Sequence, residues 1–466
     1  MPALPPLAGG AAGPAALRPL VDTVLTALEA GARDRGGPLP PGGPERVARD
    51  LADALGDVLP ARGTGAEEAL AALTRVVAAG SADPAEPYCL AHLHTPPLAL
   101  AAAADLAASA LNPSLDSWDQ APAASALEAL VTRALAAELF PAGPAPDALV
   151  TTGGTESNQL ALLLARERAR PHPHPRAPTP RLVHGANAHH SLPHAAWLLG
   201  MPEPLEIPTP TGTLDPDALD RALAAEAGPV LVAATAGTTD AGLVDPLDAI
   251  ADVCAHHRAE LHVDAAYGGL LALSPRHRDR LAGLHRATTV TLDLHKLGWQ
   301  PVAAGLLAVP DTTLLAPLAQ QADYLNAADD TDAGLPDLLG RSLRTTRRPD
   351  VLKIAVTLRA LGRDGLAELT DRVCATAHAL AALLDAHPRF EVHAAPAIST
   401  VLFRPTGAGD DDLAALRRRL LTDGTAVLGR ATAAGRRWLK ATVLNPHTTT
   451  KDLEALVALL EGSTHR

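Results

Sequence analysis

Short apolar runs alternate with helical stretches through the middle of the chain. Segments with the apolar spacing of helices, such as residues 159–170 and 248–258, lie between runs too short to be helices. This alternation predicts a largely parallel sheet covered by helices on both faces. The apolar runs, each bounded by turn residues, are residues 148–150, 181–184, 229–235, 260–264, 288–293 and 304–309.

The pattern changes toward the N-terminus. Residues 1–16 are rich in proline, glycine and alanine, and we expect them to be poorly ordered. Residues 17 to about 80 have helical spacing interrupted by glycine and proline clusters, which predicts two or three helices. So thin a module cannot bury its own apolar faces, and we expect it to pack on a second subunit.

Beyond residue 349 a long helical run, residues 351–361 and 365–387, leads into an α+β tail. In this tail we expect strands at residues 399–403 and 438–443 and a last helix at 451–460. The predicted parts of the chain are an N-terminal helical dimerisation segment (1–85), a large ligand-binding domain (86–350) and a small C-terminal α+β domain (351–466).

Composition narrows the class of protein. Hydrophobic residues make up 47% of the 466 positions but aromatic residues only 2%, which favours helix-rich layers over an all-β sandwich. A net charge of −13 disfavours nucleic acid or an anionic membrane as a partner. The most apolar stretch, residues 98–111, contains Asp105 and is too short to span a bilayer.

The cysteines and the first ten residues indicate in which cellular compartment the protein is expected. Cys89, Cys254 and Cys374 are widely spaced without a CxxC pattern, so we expect reduced thiols. Residues 1–10 show no basic region followed by an apolar one, and hence no signal peptide. We expect a soluble cytoplasmic protein without a metal site, although two histidines in the proline-rich stretch 171–175 leave a metal site as a minor alternative.

Two predicted strands end at residues of complementary chemistry. One run stops at Asp264, and the next is followed by His295 and Lys296, thirty-two positions after the aspartate. Alone, either end indicates no more than a capped strand or a surface lysine. Together they suit pyridoxal 5′-phosphate (PLP), because a carboxylate keeps the pyridine nitrogen protonated and a lysine holds the aldehyde as a Schiff base.

A glycine pair follows the first predicted strand and opens a helix. The turn at residues 151–158 exposes backbone N–H groups at a helix N-terminus, which form an anion site. It lacks the endings of the Walker loop and the dinucleotide fingerprint, and suits one terminal phosphate near Gly154 and Thr155. The alternative interpretation is an ordinary helix cap.

Two further strand ends carry ligand-binding residue types. His189 follows the second run, where an imidazole either stacks on a flat ring or faces solvent, and Thr235 closes the third with a small hydroxyl side chain. All of these segments fall at the carboxyl ends of strands, which is the edge where open parallel sheets bind ligands.

With these motifs the chain resembles the group II PLP-dependent amino-acid decarboxylases, which share the fold type I aminotransferase-like architecture. It is most similar to 2,4-diaminobutyrate decarboxylases and the lysine decarboxylases of siderophore pathways. The resemblance runs from about Tyr88 to the C-terminus. General marks are TTGGTESNQLALLLAR, AHHS, ATAGTT followed by DP, HVDAAYGG and HK, and subgroup marks are HLHTPP, NPSLDSWDQ, LDLHKLGWQP, ADYLNAADD and SLRTTRR.

The resemblance implies a fold and a set of roles. The fold has a large domain with a mostly parallel seven-stranded sheet, a small α+β C-terminal domain and a helical N-terminal segment. The protein would be a homodimer with shared active sites that acts on an amino-acid substrate. The implied roles are Lys296 on the cofactor aldehyde, Asp264 on the pyridine nitrogen, Ala266 and His189 against the two faces of the ring, Gly154, Thr155 and His295 on the phosphate, and Thr235 as a nearby hydrogen-bond partner.

The implied reaction removes the α-carboxylate of an L-amino acid and then returns a proton to Cα. Many members of the family place a tyrosine for this step in a loop after the lysine, but residues 327–337 contain none. Tyr324 and His189 are therefore the candidate donors. Without reprotonation the product would be an aldehyde, so an aldehyde synthase is one alternative and an aromatic decarboxylase another. A catalytically silent PLP-fold protein is disfavoured by the intact Lys296, Asp264 and His189.

Substrate choice is predicted to depend on Asp116. By rough alignment it lies where aromatic-specific members have a large apolar residue contributed by the partner subunit, and a carboxylate there would pair with a distal ammonium. Asp119 is a second candidate and Thr95 a weaker one. The alternative is that Asp116 only caps a local turn. We expect the doublet Arg347-Arg348 to form structural ion pairs.

Overall fold

The computed structural model describes residues 4–169, 178–319, 322 and 325–463. Its helices are α1 (Gly13–Arg35), α2 (Gly43–Leu55), α3 (Ala66–Gly80), α4 (Ala99–Leu111), α5 (Pro122–Leu139), α6 (Gly154–Arg168), α7 (Ser191–Leu198), α8 (Pro216–Ala224), α9 (Leu247–His257), α10 (Ala328–Asp332), α11 (Val351–Asp385), α12 (Asp410–Thr422) and α13 (Thr450–Ser463). Its strands are β1 (Asp147–Thr151), β2 (Arg181–Gly185), β3 (Leu205–Ile207), β4 (Val230–Thr235), β5 (Glu260–Asp264), β6 (Thr289–Asp293), β7 (Gly305–Val309), β8 (Phe390–Val392), β9 (Thr400–Pro405), β10 (Gly429–Ala433) and β11 (Arg436–Thr442).

A seven-stranded sheet with the order β1-β7-β6-β5-β4-β2-β3 forms the centre of the large domain. Strand β7 is antiparallel to both β1 and β6, and the other pairs are parallel. The six predicted apolar runs all lie in strands of this sheet, and the predicted fold class is confirmed. Parallel pairing brings the carboxyl ends of β2, β4, β5 and β6 to one edge.

Both faces of this sheet are covered. Val232 and Val263 point into one apolar cluster with Leu135 of α5, whereas Leu231 packs in a second cluster with Leu162 of α6. Successive strand residues therefore face opposite layers, as the pleat requires. Burial on both faces explains why these strands are apolar runs rather than alternating patterns.

Helix α11 connects the two cores of the chain. Ile354 belongs to the cluster of the large sheet, and Leu380 to the cluster of the C-terminal domain. Gly362, with φ 65°, interrupts the helix at the break between the two predicted helical runs. The C-terminal sheet is antiparallel, with the order β10-β11-β9-β8. The predicted tail strands correspond to β9 and β11, and the predicted last helix to α13.

The N-terminal module contains α1, α2 and α3. Helix α1 begins at Gly13, so the expectation of poor order through residue 16 was wrong at its end, because a proline in the first turn of a helix gives up no intrahelical hydrogen bond. Gly31 of α1 lies so close to α3 that an added Cβ would be 2.6 Å from the Cβ of Ala78. Helices α2 and α3, described throughout, contain no buried residue.

None of the helices in the described part of the chain is both long and apolar enough to cross a membrane.

Candidate active site

A cavity of about 370 Å³ lies at the carboxyl ends of the central strands. Eight of the residues predicted for a cofactor site line it together. Those eight are Gly154, Thr155, His189, Thr235, Asp264, Ala266, His295 and Lys296. The other lining residues, for which the sequence indicates no individual role, are Leu93, Thr152, Gly153, Gly237, Thr239, Tyr267 and Asp293.

Asp264 ends β5 beneath the cavity and is 5% exposed. Its Oδ2 accepts a hydrogen bond of 2.8 Å from Nδ2 of Asn158, and its Oδ1 accepts one of 3.1 Å from the backbone N–H of Ala266. Two donors from different elements thus orient the carboxylate, as pairing with a ring nitrogen would require.

Lys296 lies in the turn that follows β6, close to a second carboxylate. Its Nζ is 3.0 Å from Oδ2 of Asp293, and Nε2 of His295 is 3.5 Å from the same oxygen. Asp293 is buried, and its Oδ1 has no hydrogen-bond partner among the described residues. This aspartate was missed, although its position three residues before the lysine at a strand end was visible in the sequence.

The ring of His295 is oriented by a backbone carbonyl group. Its Nδ1 bonds the carbonyl oxygen of Ala304 at 3.1 Å, which directs the other ring nitrogen toward Asp293. Burial lowers the pKa of His295, and the neighbouring Asp293 opposes that shift.

The turn between β1 and α6 brings backbone to the cavity. Gly153 has φ 150°, and a Cβ there would lie 2.9 Å from Cε1 of His295. Glu156 braces the turn by accepting hydrogen bonds from the backbone N–H of Thr152 at 2.6 Å and from Nε of Arg344 at 3.1 Å. Helix α6 therefore starts at the cavity wall, where its free N–H groups suit an anion.

His189 lies at the rim of the cavity and is half-buried. Its Nδ1 is 2.8 Å from Oγ of Ser191, which in turn is 2.9 Å from Nδ2 of Asn158. Burial lowers the pKa of His189, and the negative charge of Asp264 opposes this shift. Ser191 and Asn158 were also missed as site residues, because neither residue type indicates a cofactor by itself.

Thr235 ends β4 with its backbone fixed and its hydroxyl unpaired. Its N–H donates to Oδ2 of Asp245 at 2.7 Å. Its Oγ1 is buried and has no partner among the described residues, although Thr235 lines the cavity. An oriented carboxylate, a lysine, an anion-binding turn and an unpaired hydroxyl around one cavity fit the ring, aldehyde, phosphate and polar substituents of PLP.

The tyrosines offer no described proton donor on the cavity wall other than Tyr267. Its hydroxyl bonds Oγ of Ser399 at 2.8 Å and Oγ1 of Thr400 at 3.1 Å, and burial raises its pKa to about 12. The bond to Thr400 ties the cavity to β9, and burial, which outweighs the opposing effect of these hydrogen bonds, leaves Tyr267 a poor acid. The predicted donor Tyr324 lies outside the described residues.

The predicted substrate residues lie outside the cavity of their own chain. The hydroxyl of Thr95 donates to the backbone carbonyl of Lys296 at 2.8 Å. Asp116 accepts hydrogen bonds from Ser114 and, at 3.3 Å, from Oγ1 of Thr346. Asp119 accepts one of 2.5 Å from Oγ of Ser117.

The arginine doublet forms the expected ion pairs. Arg347 pairs with the buried Glu128 at 2.9 Å, and Arg348 with Asp105 at 2.8 Å. These contacts join α4 and α5 to the segment before α11.

Within the described part of the chain, one group of side chains is spaced for a metal ion, namely Asp220, His256 and His257. It lies between α8 and α9, away from the cavity. The histidines of the stretch 171–175 lie outside the described residues.

The fold and the cavity together define a PLP-dependent α/β enzyme. The conserved domain of pyridoxal-dependent decarboxylases matches residues 51–406, and the chain belongs to this family. The predicted family, cofactor and class of enzyme are thereby confirmed.

Known proteins resemble the chain over most of its length. An L-2,4-diaminobutyrate decarboxylase of Rhizobium meliloti (strain 1021) is 42% identical over 415 residues, which cover 86% of this chain and 82% of that protein. The glutamate decarboxylase domain of the diaminobutyrate-pyruvate transaminase and L-2,4-diaminobutyrate decarboxylase of Vibrio parahaemolyticus superposes with a TM-score of 0.86 at 31% identity, covering 98% and 97%. A TDC of Oryza sativa, solved with PLP and tryptamine, gives a TM-score of 0.89 at 27% identity, covering 99% of both chains.

Proposed function

We propose that the protein decarboxylates an L-amino acid that carries a second, distal amino group, with 2,4-diaminobutyrate as the first candidate and ornithine and lysine as the next. The observation that carries this proposal is that Asp264 and Lys296 line one cavity. The chain is also 42% identical to an L-2,4-diaminobutyrate decarboxylase.

Each cavity residue would hold one part of the cofactor. Lys296 would hold the aldehyde, Asp264 the proton of the pyridine nitrogen, and Ala266 one face of the ring. The phosphate would lie at the start of α6, against the N–H groups near Gly154 and Thr155. When bound, PLP supplies an electron-poor ring that takes up the electron pair left as the carboxylate departs.

The remaining residues would orient the substrate and move its protons. His189 at the rim would cover the second ring face and position the α-carboxylate, while Thr235 and His295 would bond the polar groups of the cofactor. The released Lys296 amine has Asp293 as a partner at 3.0 Å. The proton returned to Cα would come from His189 or Tyr324.

The distal amine would be bound across a subunit interface. Asp116 is half-buried and lies outside the cavity of its own chain, so it could serve only the site of a partner.

A homodimer is supported by the exposed apolar side chains of the N-terminal helices, which need a partner surface. Those side chains are Leu25, Leu28, Leu51, Leu55 and Val77. We place this dimer in the cytoplasm, where its three cysteines would stay reduced.

The domain boundaries near residues 85 and 350 are part of the same proposal. The second boundary is supported by the start of α11 at Val351, and the change from the cluster of the large sheet to that of the C-terminal sheet falls further along this helix, between Cys374 and Ala377.

Products from a panel of L-amino acids test the function. The PLP-loaded protein is incubated with 2,4-diaminobutyrate, ornithine, lysine, tyrosine and tryptophan, and amine, aldehyde and CO₂ are quantified together. We expect amine and CO₂ in equal amounts from diamino acids, and neither from a Lys296→Ala variant. Amine from the aromatic substrates alone would overturn the substrate proposal, and aldehyde as main product would establish the synthase alternative.

A further inference from the structure

We propose that Asn158 is a positioning residue that links the two ring contacts of the site: it orients Asp264, and through Ser191 it places the proton of His189 on Nε2. This inference rests on the proposed function only in taking Asp264 and His189 as cofactor contacts. The network itself is a property of the folded chain.

The amide of Asn158 uses all of its hydrogen-bonding capacity. Its Nδ2 donates to Oδ2 of Asp264 at 2.8 Å and to Oγ of Ser191 at 2.9 Å. Its Oδ1 accepts from Nε2 of His262 at 3.0 Å and from Oγ1 of Thr291 at 2.9 Å. A flipped amide would place its oxygen against the Asp264 carboxylate, so only one orientation satisfies all four partners.

His262 helps to fix the orientation of the Asn158 amide. It is fully buried, and its Nδ1 lies 2.8 Å from Oγ1 of Thr289. Burial lowers the pKa of His262 to about 4, so the ring is neutral and carries one proton. With that proton on Nε2, the ring donates to Asn158 and accepts from Thr289.

The bond to Ser191 determines what His189 can do. Because the Ser191 oxygen accepts from Asn158, its own hydrogen is free to be donated to Nδ1 of His189 at 2.8 Å. The backbone N–H of Ser191 also points to Nδ1, at 3.3 Å. A nitrogen that accepts from two donors carries no proton in the neutral ring, so the proton lies on Nε2. His189 therefore offers the cavity an N–H donor, which suits a substrate carboxylate.

One asparagine thus supports two separate contacts with a flat ligand. It holds an anion where the ring nitrogen would lie and, through the hydroxyl of Ser191, a neutral donor where one face of the ring would lie. Buried networks of this kind keep their geometry because every member is satisfied.

Two variants separate the contact with Asp264 from the link to His189. Asn158→Leu removes both, and Ser191→Ala removes only the hydroxyl that links Asn158 to His189. Asn187→Ala is a matched control, because Asn187 bonds the buried Asp245 at 2.8 Å and forms no hydrogen bond to Asp264 or His189 within the described part of the chain. The probes are the side-chain ¹⁵N shifts of His189 in the PLP-free protein at near-neutral pH, assigned with His189→Gln, and the Kd for PLP.

We expect the wild-type shifts of an Nε2–H ring, a mixture of tautomers in Ser191→Ala and Asn158→Leu, and no change in Asn187→Ala. The Kd for PLP should rise about ten- to a hundred-fold in Asn158→Leu, while Ser191→Ala stays within about three-fold. Circular dichroism identifies variants that fail to fold, and Ser191→Ala keeps the tautomer test open in that case.

A wild-type ring protonated on Nδ1, or an unchanged Kd in a folded Asn158→Leu protein, would overturn the inference. Failure of the proposed function would look different: no PLP bound and no amine formed, with the His189 tautomer unaffected.

Discussion

The hydroxyl of Thr95 donates a 2.8 Å hydrogen bond to the backbone carbonyl of Lys296, although the two residues are 201 positions apart. Three residues further along the chain, the N–H of Leu98 donates to the carbonyl of Trp299 at 2.9 Å. The segment before α4 is thereby fastened to the turn that carries the lysine. Thr95 belongs to the support of the lysine rather than to the lining of its own cavity.

Replacing Thr95 by valine should loosen this turn. The variant keeps the shape of the side chain but loses the donor, which should lower the free energy of unfolding by about 1–2 kcal/mol. We also expect slower growth of the visible absorbance band when PLP is added to the PLP-free protein. Thr95→Ser retains the hydroxyl and should behave as wild type in both measurements. Equal behaviour of valine and serine variants would argue against a role for the bond.

Gly153→Ala should exclude the phosphate of the cofactor from the turn before α6. The new Cβ would lie 2.9 Å from Cε1 of His295, whose ring is held by Ala304 and cannot move freely. The Kd for PLP, measured by titration, should rise about ten- to a hundred-fold.

Gly65→Ala is the control for backbone strain alone. Gly65 has φ 99° and ψ 159°, in the same glycine-only region as the φ of 150° and ψ of −177° at Gly153, but a Cβ there would have no neighbour within 4 Å. This variant should lose about 1–3 kcal/mol of stability and keep the affinity for PLP. Comparable PLP affinity in both variants would show that contact with His295 is not what matters at Gly153.

Sequence patterns located most strands of the large sheet because buried parallel strands are continuous apolar runs. The three missed strands lack that signal: β3 has three residues between two prolines, β8 also has only three residues, and β10 alternates buried with exposed positions and contains little apolar volume. Their pairing depends on neighbouring strands, which no local pattern contains.

Site residues could be predicted from the sequence where the residue type alone indicates a chemical role, as an amine or a carboxylate at a strand end does. The structure brings Lys296 and Asp264 to one cavity. Both stand at strand ends and suit one cofactor, so they were predicted as site residues. Asn158 and Ser191 were not, because an amide or a hydroxyl gains its role only from partners that folding brings within hydrogen-bond distance, over 106 positions for the contact of Asn158 with Asp264.

Acidification should destabilise the PLP-free protein through His262. Burial lowers its pKa to about 4 from an ordinary 6.5, so between these values the unfolded chain binds a proton that the folded chain does not. Stability therefore falls as pH drops through this window, by up to ~3 kcal/mol for this group. Denaturant unfolding at pH values across the window measures the loss.

A His262→Gln variant isolates this contribution, since glutamine can still donate to Asn158 but does not titrate. Other groups act in both variants, including Asp245, whose pKa burial raises and which therefore favours the folded state on acidification. The difference in pH dependence between wild type and variant should equal the contribution of His262 to stability. Parallel stability curves for the two proteins would contradict it.

The choice of substrate should follow the charge of Asp116 rather than its hydrogen bonds. Asp116→Asn removes the negative charge and keeps one oxygen acceptor, which can serve either Ser114 or Thr346, while the amide nitrogen that replaces the other oxygen donates instead of accepting. Because a hydrogen bond to a charged group is worth about 1.5–3 kcal/mol, kcat/KM for a diamino acid should fall about ten- to a hundred-fold relative to that for norvaline, which lacks the distal amine. Ser114→Ala disturbs the local turn without changing the charge and should leave this ratio as it is. If Ser114→Ala lowers the ratio as much as Asp116→Asn does, Asp116 is a turn cap, and Asp119→Asn becomes the next variant in which the same ratio is measured.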